Sequence, residues 1–275
     1  MKFAFCTCVQ IGLSCMEAIY SANGKLDLVI SLPDDKAVNK SGRIFVDDFA
    51  AKHNIPVVKS GHVNDEQVTQ ALKEHEIDWL YIIGWSQIAS NEVLNAANKG
   101  AIGAHPTLLP QGRGRAAIPW SIIKGLDKTG VTFFKMDEGV DTGLILGQEV
   151  IPIEKKETAT TLYEKVNKAH EDLIRDLHPK LERDTIKGQK QDEEKATYWE
   201  GRKPEDGELK RSMTVDEVDR LVRATTKPYP GAFIMDGKKK IIIWSGTQGK
   251  HDGSSLELEF LDGIYSALKY EVIDA

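Results

Sequence analysis

Cysteine is nearly missing from this chain: three among 275 residues, Cys6, Cys8 and Cys15, all close to the amino terminus. An odd and crowded set makes a poor disulfide framework, so a reducing compartment, the cytoplasm, is expected. Cys6-x-Cys8 has the spacing of half a metal site, but no second ligand pair lies near it, and small core thiols are the better reading. Long apolar runs are lacking too. No window approaches the ~18 consecutive apolar residues of a membrane span, and MKFAFCTCVQIGLSCMEAI is broken by polar residues with no small-residue cleavage pattern after it. That stretch reads as a first strand and helix, and no membrane partner is expected. Nor is there an excess of basic charge. With 36 Lys+Arg against 42 Asp+Glu, nothing favours a nucleic acid as the main partner, although an acidic whole is compatible with a local basic pocket. Internal repeats and low-complexity segments are absent from the sequence.

What is present is ordinary globular material, 41% apolar and 28% charged, arranged with a clear rhythm. Strand-like runs at Lys2–Thr7, Leu26–Leu32, Pro56–Lys59, Trp79–Gly84 and up to His105 alternate with helical patterns over Ile11–Ala22, Ile44–His53, Asp65–His75 and a helix capped by Asn91 and reaching Ala97. Continuous apolar strands alternating with amphipathic helices imply an α/β fold, a Rossmann-like, mostly parallel sheet with helices on both faces. Further on, Pro119 opens a helix to Lys124, Val131–Met136 and Leu144–Ile153 read as strands, and Thr158–Leu181 as a long helix. From His178 to Arg211 the sequence turns polar, a candidate boundary. A short helix, Val215–Ala224, and β-rich runs at Ala232–Met235, Lys239–Trp244, Leu256–Phe260 and Tyr270–Ile273 then suggest a small C-terminal β-rich domain. The expected division is 1–195 and 196–275.

The chemistry concentrates between Gly100 and Gly143. An apolar run delivers His105 into Pro106, and a residue before proline is pushed out of the helical region, so the histidine ends a strand. Ligands bind beyond the carboxyl ends of strands in such sheets. The run Val131–Met136 ends in DEGVDTG, where Gly139 and Gly143 permit a tight backbone around Asp141. A lone histidine is ordinarily a satisfied core residue; here the strand end, the adjoining Pro/Gly-rich loop and a carboxylate able to orient the ring favour acid–base work, and the scattered other histidines disfavour metal ligation. Gly112-Arg-Gly-Arg-Ala-Ala117 matches G-x-G-x-x-A, but no strand leads directly into it, so a dinucleotide loop fails on context. Two readings stay open for it: a loop presenting Arg113 or Arg115 to an anionic ligand, or two arginines on a solvated surface.

HPTLLPQGRGRAAIPW followed by TGVTFFKMDEGVDTG closely resembles the folate-dependent formyltransferase family, which includes methionyl-tRNA formyltransferase, glycinamide ribonucleotide transformylase and the sugar-nucleotide N-formyltransferases. The resemblance is strong over 100–147 and extends over residues 1–180; KPYPGAF resembles the start of the family's C-terminal β domain. It is nearest to enzymes that formylate amino sugars on nucleotide carriers, the pseudaminic-acid-pathway type among them. By that resemblance His105 and Asp141 are the catalytic pair. Thr107 takes the place of the family's serine, and Leu108, Leu109 and Pro110 match its Leu-Leu-Pro. Gln87, Ile88 and Ala89 align with a segment holding the pterin by backbone contacts, Arg115 with a cofactor-contacting arginine, and Asp137, Glu138, Gly139, Val140 and Asp141 with the loop around it. One element is missing: the family's asparagine, two residues before the histidine, is Gly103. Ser86, Gln87 or a water in the space left by Gly103 are the candidate replacements.

The resemblance implies transfer of a formyl group from N10-formyltetrahydrofolate to the primary amine of a nucleotide-linked amino sugar, with His105 as general base and acid, Asp141 orienting it, and no metal. A homodimer is the family expectation, and the loop Thr7–Gln10 is a candidate nucleotide contact. The alternatives are a methionyl-tRNA formyltransferase, disfavoured because only Lys238–Lys240 forms a basic cluster in the C-terminal part; a formyltetrahydrofolate hydrolase; and a non-catalytic folate- or nucleotide-binding module.

Overall fold

The computed structural model describes residues 1–35 and 43–274. In chain order its elements are β1 (Phe3–Cys6), α1 (Gln10–Ser21), β2 (Leu28–Ser31), α2 (Asp47–His53), β3 (Val57–Lys59), α3 (Glu66–Glu74), β4 (Trp79–Ile82), α4 (Asn91–Leu94), β5 (Gly100–His105), β6 (Arg113–Gly114), α5 (Ala117–Ile123), β7 (Lys128–Lys135), β8 (Ile145–Pro152), α6 (Ala159–Glu182), β9 (Tyr198–Trp199), α7 (Val215–Thr225), β10 (Ala232–Asp236), β11 (Lys239–Gln248), β12 (Leu256–Phe260) and β13 (Gly263–Asp274). The chain divides into two compact units, one of Met1–Arg113, Gly130–Val150 and Val166–Thr197, the other of Gly114–Thr129, Ile151–Lys165 and the chain from Tyr198 onward.

The first unit is built on a sheet of order β3-β2-β1-β4-β5-β7-β8. β1, β2, β4 and β5 pair in parallel, whereas β7 runs antiparallel to β5, setting His105 opposite Thr132 and Gly103 opposite Phe134. The two-residue period of β1 supplies both faces. Ala4 and Cys6 join Leu80, Ile82, Val68, Leu72 and Val93 in one core, while Phe3 and Phe5 stack near Tyr81 and His178 on the other side. All three cysteines are buried. Because successive connections leave β1 toward β2 on one side and toward β4 on the other, the strand order reverses there, and the carboxyl ends around this switch form the usual ligand crevice.

Two local expectations are corrected. The helix after β4 stops at Leu94 instead of Ala97, and its cap is Ser90, whose Oγ accepts from Val93 N at 3.4 Å. Asn98 N and Lys99 N bond to the Ile77 and Asp78 carbonyls at the start of β4, so this backbone has left the helical ladder. Pro119 is the third residue of α5 instead of its first; an N–H there would have no intrahelical acceptor, so the ring does no harm.

In the second unit β10-β11-β13-β12 form an antiparallel sheet. The amphipathic face of α7, Val215, Val218, Leu221 and Val222, packs on Ile234, Ile241, Ile243 and Tyr265. Thr214 and Glu217 close a capping box at its start. No helix among the described residues is long and apolar enough to cross a membrane.

Candidate active site

His105 ends β5 with only 7% of its surface exposed. Its Nε2 donates to the Gly112 carbonyl at 2.7 Å, and Nδ1 faces Asp141 Oδ2 at 3.6 Å. Both neighbours are acceptors. A neutral imidazole donates to one of them at a time; a doubly protonated ring donates to both. The two residues singled out by sequence, 36 positions apart, therefore converge in the first unit, in an arrangement suited to a ring that gains and loses a proton.

The loop carrying Asp141 owes its shape to a different residue than expected. Asp141 itself adopts the left-handed conformation, φ 57°, which costs an ordinary side chain about 1–2 kcal/mol and is tolerated best by Asn and Asp. The flanking glycine contributes room: a Cβ on Gly143 would land on the Lys135 carbonyl. Asp137 Oδ1 accepts from Gly139 N at 3.1 Å and from Thr142 Oγ1 at 2.6 Å, closing the loop on itself. Glu138 and Val140 project outward. Asn91 Nδ2 donates to Glu138 Oε1 at 3.0 Å, bringing this loop beside Gln87–Ala89, the other stretch that the resemblance assigns to the pterin. A cavity of about 400 Å³ opens beside Asp137 and Glu138, lined also by Asn91, Leu94, Gly100 and Met136; it lies toward the start of β5, and neither His105 nor Asp141 lines it. Ile88 and Val140 are exposed apolar side chains, one on each loop.

Thr107, Leu108, Leu109 and Pro110 form a braced turn after His105. Thr132 Oγ1 donates to the Thr107 carbonyl at 2.7 Å and accepts from Leu109 N at 3.2 Å. Gln148 Nε2 donates to the Leu109 carbonyl at 2.9 Å and to Thr132 Oγ1 at 2.7 Å. The Thr107 hydroxyl is buried and has no hydrogen-bond partner.

Arg113 is neither the solvated arginine nor the ligand-reaching one of the readings offered for the glycine-rich loop, which leaves Arg115 as the arginine able to reach an anion. The Arg113 side chain is wholly buried. Nη1 and Nη2 donate to Glu193 at 2.8 and 2.6 Å, and Nε and Nη2 donate to Gln191 Oε1 at 3.1 and 2.8 Å. A guanidinium removed from water needs its donors filled; the anion it reaches is the protein's own Glu193, whose carboxyl this hydrogen bond holds below the usual carboxylate range. Arg115 is exposed and belongs to the second unit, where its N–H donates to the Trp199 carbonyl at 3.0 Å.

The stretch that composition marks as a boundary thus contributes to the site. Gln191 Nε2 donates to the Asp141 and Gly143 carbonyls at 2.7 and 2.8 Å, while Thr197 Oγ1 accepts from Gly112 N at 2.8 Å and its carbonyl from Arg113 N at 2.9 Å. Sequence reasoning missed both residues, since neither lies in a periodic or glycine-framed pattern.

The missing asparagine has a steric account. A Cβ at Gly103 would lie 2.9 Å from Phe134 Cζ and 3.2 Å from Met136 Cγ, so these side chains already fill the space proposed for a water. Gln87, a second candidate replacement, accepts from Val63 N and Trp85 Nε1 at 2.9 and 3.0 Å and donates to the Gly61 carbonyl at 3.0 Å. Ser86 is exposed.

Comparison with known proteins agrees with this architecture. A family model described as formyl transferase matches residues 12–177, and one described as formyl transferase, C-terminal domain, matches residues 202–267. Among solved structures, the chain is similar to methionyl-tRNA formyltransferase from Clostridium thermocellum (TM-score 0.63, 22% identity, 100% of each chain covered). It is also similar to an N-formyltransferase from Helicobacter canadensis in complex with folinic acid and dTDP-3-aminofucose (0.70, 19%, covering 97% of this chain and 98% of that one), and to a sugar N-formyltransferase from Shewanella sp. (0.70, 23%, covering 88% and 96%). At these identities the likeness establishes a shared fold.

Proposed function

The chain belongs to the formyl transferase family, and on that premise we propose that it transfers a formyl group from N10-formyltetrahydrofolate to the primary amine of a nucleotide-linked amino sugar. The observation that carries this reading is the His105 ring held between the Asp141 carboxylate and the Gly112 carbonyl. The neutral His105 ring carries its proton on Nδ1, toward Asp141, and the amine takes the place of Nε2 at the Gly112 carbonyl. The amine nitrogen attacks the formyl carbon, the bond from that carbon to N10 breaks, and the proton lost by the amine passes through Nε2 to N10 of the leaving folate. Asp141 accepts the Nδ1 hydrogen of the protonated ring. The Gly112 carbonyl, already at Nε2, is placed to accept a second amine hydrogen and so to align the nucleophile. The pterin lies against Gln87–Ala89 and Asp137–Asp141, and Ser86 is the candidate donor to the developing oxyanion. No step requires a metal.

An amino-sugar acceptor is supported by the sugar N-formyltransferases among the structures that match along nearly the whole chain. The methionyl-tRNA enzyme matches the whole chain as well, but the basic cluster at 238–240 is a poor phosphate grip, with Lys240 Nζ laid over the Phe233 ring at 3.8 Å. Folate release, assayed with dTDP- and UDP-linked amino sugars, with methionyl-tRNA and with water alone, tests the proposal. Release that depends on a nucleotide amino sugar is expected. Release that depends only on charged tRNA, or that proceeds without any amine, would replace it by the tRNA or hydrolase reading.

A further inference from the structure

Asp141 occupies a backbone conformation that a non-glycine residue keeps only when its surroundings over-determine it. Those surroundings are unusual in one respect: the Asp141 and Gly143 carbonyls are both held by a single side-chain amide, Gln191 Nε2, at 2.7 and 2.8 Å. An amide can in principle turn end for end. Here it cannot. Its oxygen accepts from Arg113 Nε and Nη2, and Arg113 is fixed in turn by two bonds to Glu193 and is wholly buried. A flipped amide would set its NH2 against the guanidinium and its oxygen against two carbonyls. The residue before Arg113, Gly112, carries the carbonyl at His105 Nε2, so the Arg113–Gln191 contact links both acceptors that flank the imidazole.

We infer that Gln191 is a positioning residue for the formyl transfer: its amide, oriented by Arg113, holds the left-handed turn that presents the Asp141 carboxylate to His105. The kinetic part of the test rests on the function proposed above; the structural part does not.

Gln191→Glu is the sharpest variant. It keeps an oxygen for Arg113 but places a carboxylate oxygen against two carbonyls, so the donated bonds are lost without a change of size. Hydrogen–deuterium exchange of the peptide covering 137–143 should rise in Q191E and in Gln191→Ala, with exchange in the β1 to β5 core unchanged. Unaltered exchange in that peptide overturns the inference whether or not the wild type transfers formyl. In turnover, Q191E should lower kcat by about 10- to 100-fold, the scale of an ångström's misplacement, with KM for both substrates within about threefold of wild type. In an Asp141→Asn background the further loss should be under about threefold, because the residue acts through Asp141. Losses that multiply in the double variant, or a rise in KM alone, assign Gln191 to general support and overturn the positioning role. A wild type without transfer activity defeats the proposed function and leaves the exchange result to decide this one.

Discussion

The end of β5 and the interior of α6 each bury histidine, and to nearly the same degree: 7% exposure for His105 against 2% for His170 and 0% for His178. What separates them is the partners. His170 Nδ1 donates to the Val166 carbonyl of its own helix, and burial pushes its pKa down to about 4. His178 packs on Phe3 with ring centroids 4.3 Å apart, meets the Tyr81 hydroxyl at 3.0 Å through Nδ1, and makes no hydrogen bond at its buried Nε2, which lies 3.7 Å from the half-exposed Glu182 carboxylate. Burial lowers it likewise to about 4. Both rings are built to stay neutral. His105 instead has a backbone carbonyl at Nε2 and, facing Nδ1, a carboxylate that is largely shielded, 17% exposed against 42% for Glu182 beside His178. Burial beside a hydroxyl or a solvent-facing carboxylate leaves a packing residue; a carbonyl and a shielded carboxylate at the two nitrogens suit the proton transfer proposed for His105.

Removing the rings one at a time tests that distinction most strongly. His105→Ala should lower kcat by about 10³-fold, within the usual range for a general base, and Asp141→Asn by about 10²-fold, with cooperative melting retained in both. His170→Gln and His178→Gln should melt earlier yet keep turnover within about threefold, since the hydrogen bonds of these rings run to Val166 and Tyr81 and not to His105 or Asp141. Steady-state kinetics beside thermal melts decides it. Near-normal turnover in His105→Ala, or a loss of comparable size in a helix variant, breaks the comparison.

A second effect belongs to the helix histidines alone. Their folded pKa values lie below the unfolded value of about 6.5, so between those limits the unfolded chain binds more protons than the folded one. Stability is thus complete above pH 6.5 and is lost as pH falls toward 4. Each ring contributes about 3 kcal/mol to that loss. Melting temperature followed from pH 7 to pH 4 should decline, and His170→Gln should flatten the decline by the share of one proton. An unchanged slope in that variant would mean that the ring is charged in the folded state, erasing the contrast with His105.

The same contrast explains what the sequence discloses. The sheet is legible because strands such as Phe3–Cys6 and Leu28–Ser31 are apolar on both faces while α3 keeps Val68, Ala71 and Leu72 on one. His105 is legible because a proline follows it at a strand end. The position of Asp141 is legible as well, although the left-handed residue is the aspartate itself and not its glycines. Arg113 is not legible: its partners Gln191 and Glu193 come some 80 positions later, within a polar run whose composition reads as a domain boundary. A side chain that braces a loop from so far along the chain leaves no local period or spacing to find.

The smallest effect sharpens the comparison within β5 itself. Gly103 and His105 are two residues apart and share a face of the strand, yet one meets Asp141 and the other lies beneath Phe134 and Met136. Gly103→Asn would restore the asparagine of the formyltransferase pattern. With Phe134 Cζ 2.9 Å and Met136 Cγ 3.2 Å from the new Cβ, the aromatic ring must shift, and an overpacked site of this kind costs about 1–3 kcal/mol. For a chain of this length that is a fall in melting temperature of roughly 2–4 °C per kcal/mol. No rise in kcat should accompany it, because the added amide is directed into packed hydrocarbon. A variant that melts like the wild type and turns over faster would show that the face around Gly103 yields to a donor, moving the line between packing and chemistry two residues back along the strand.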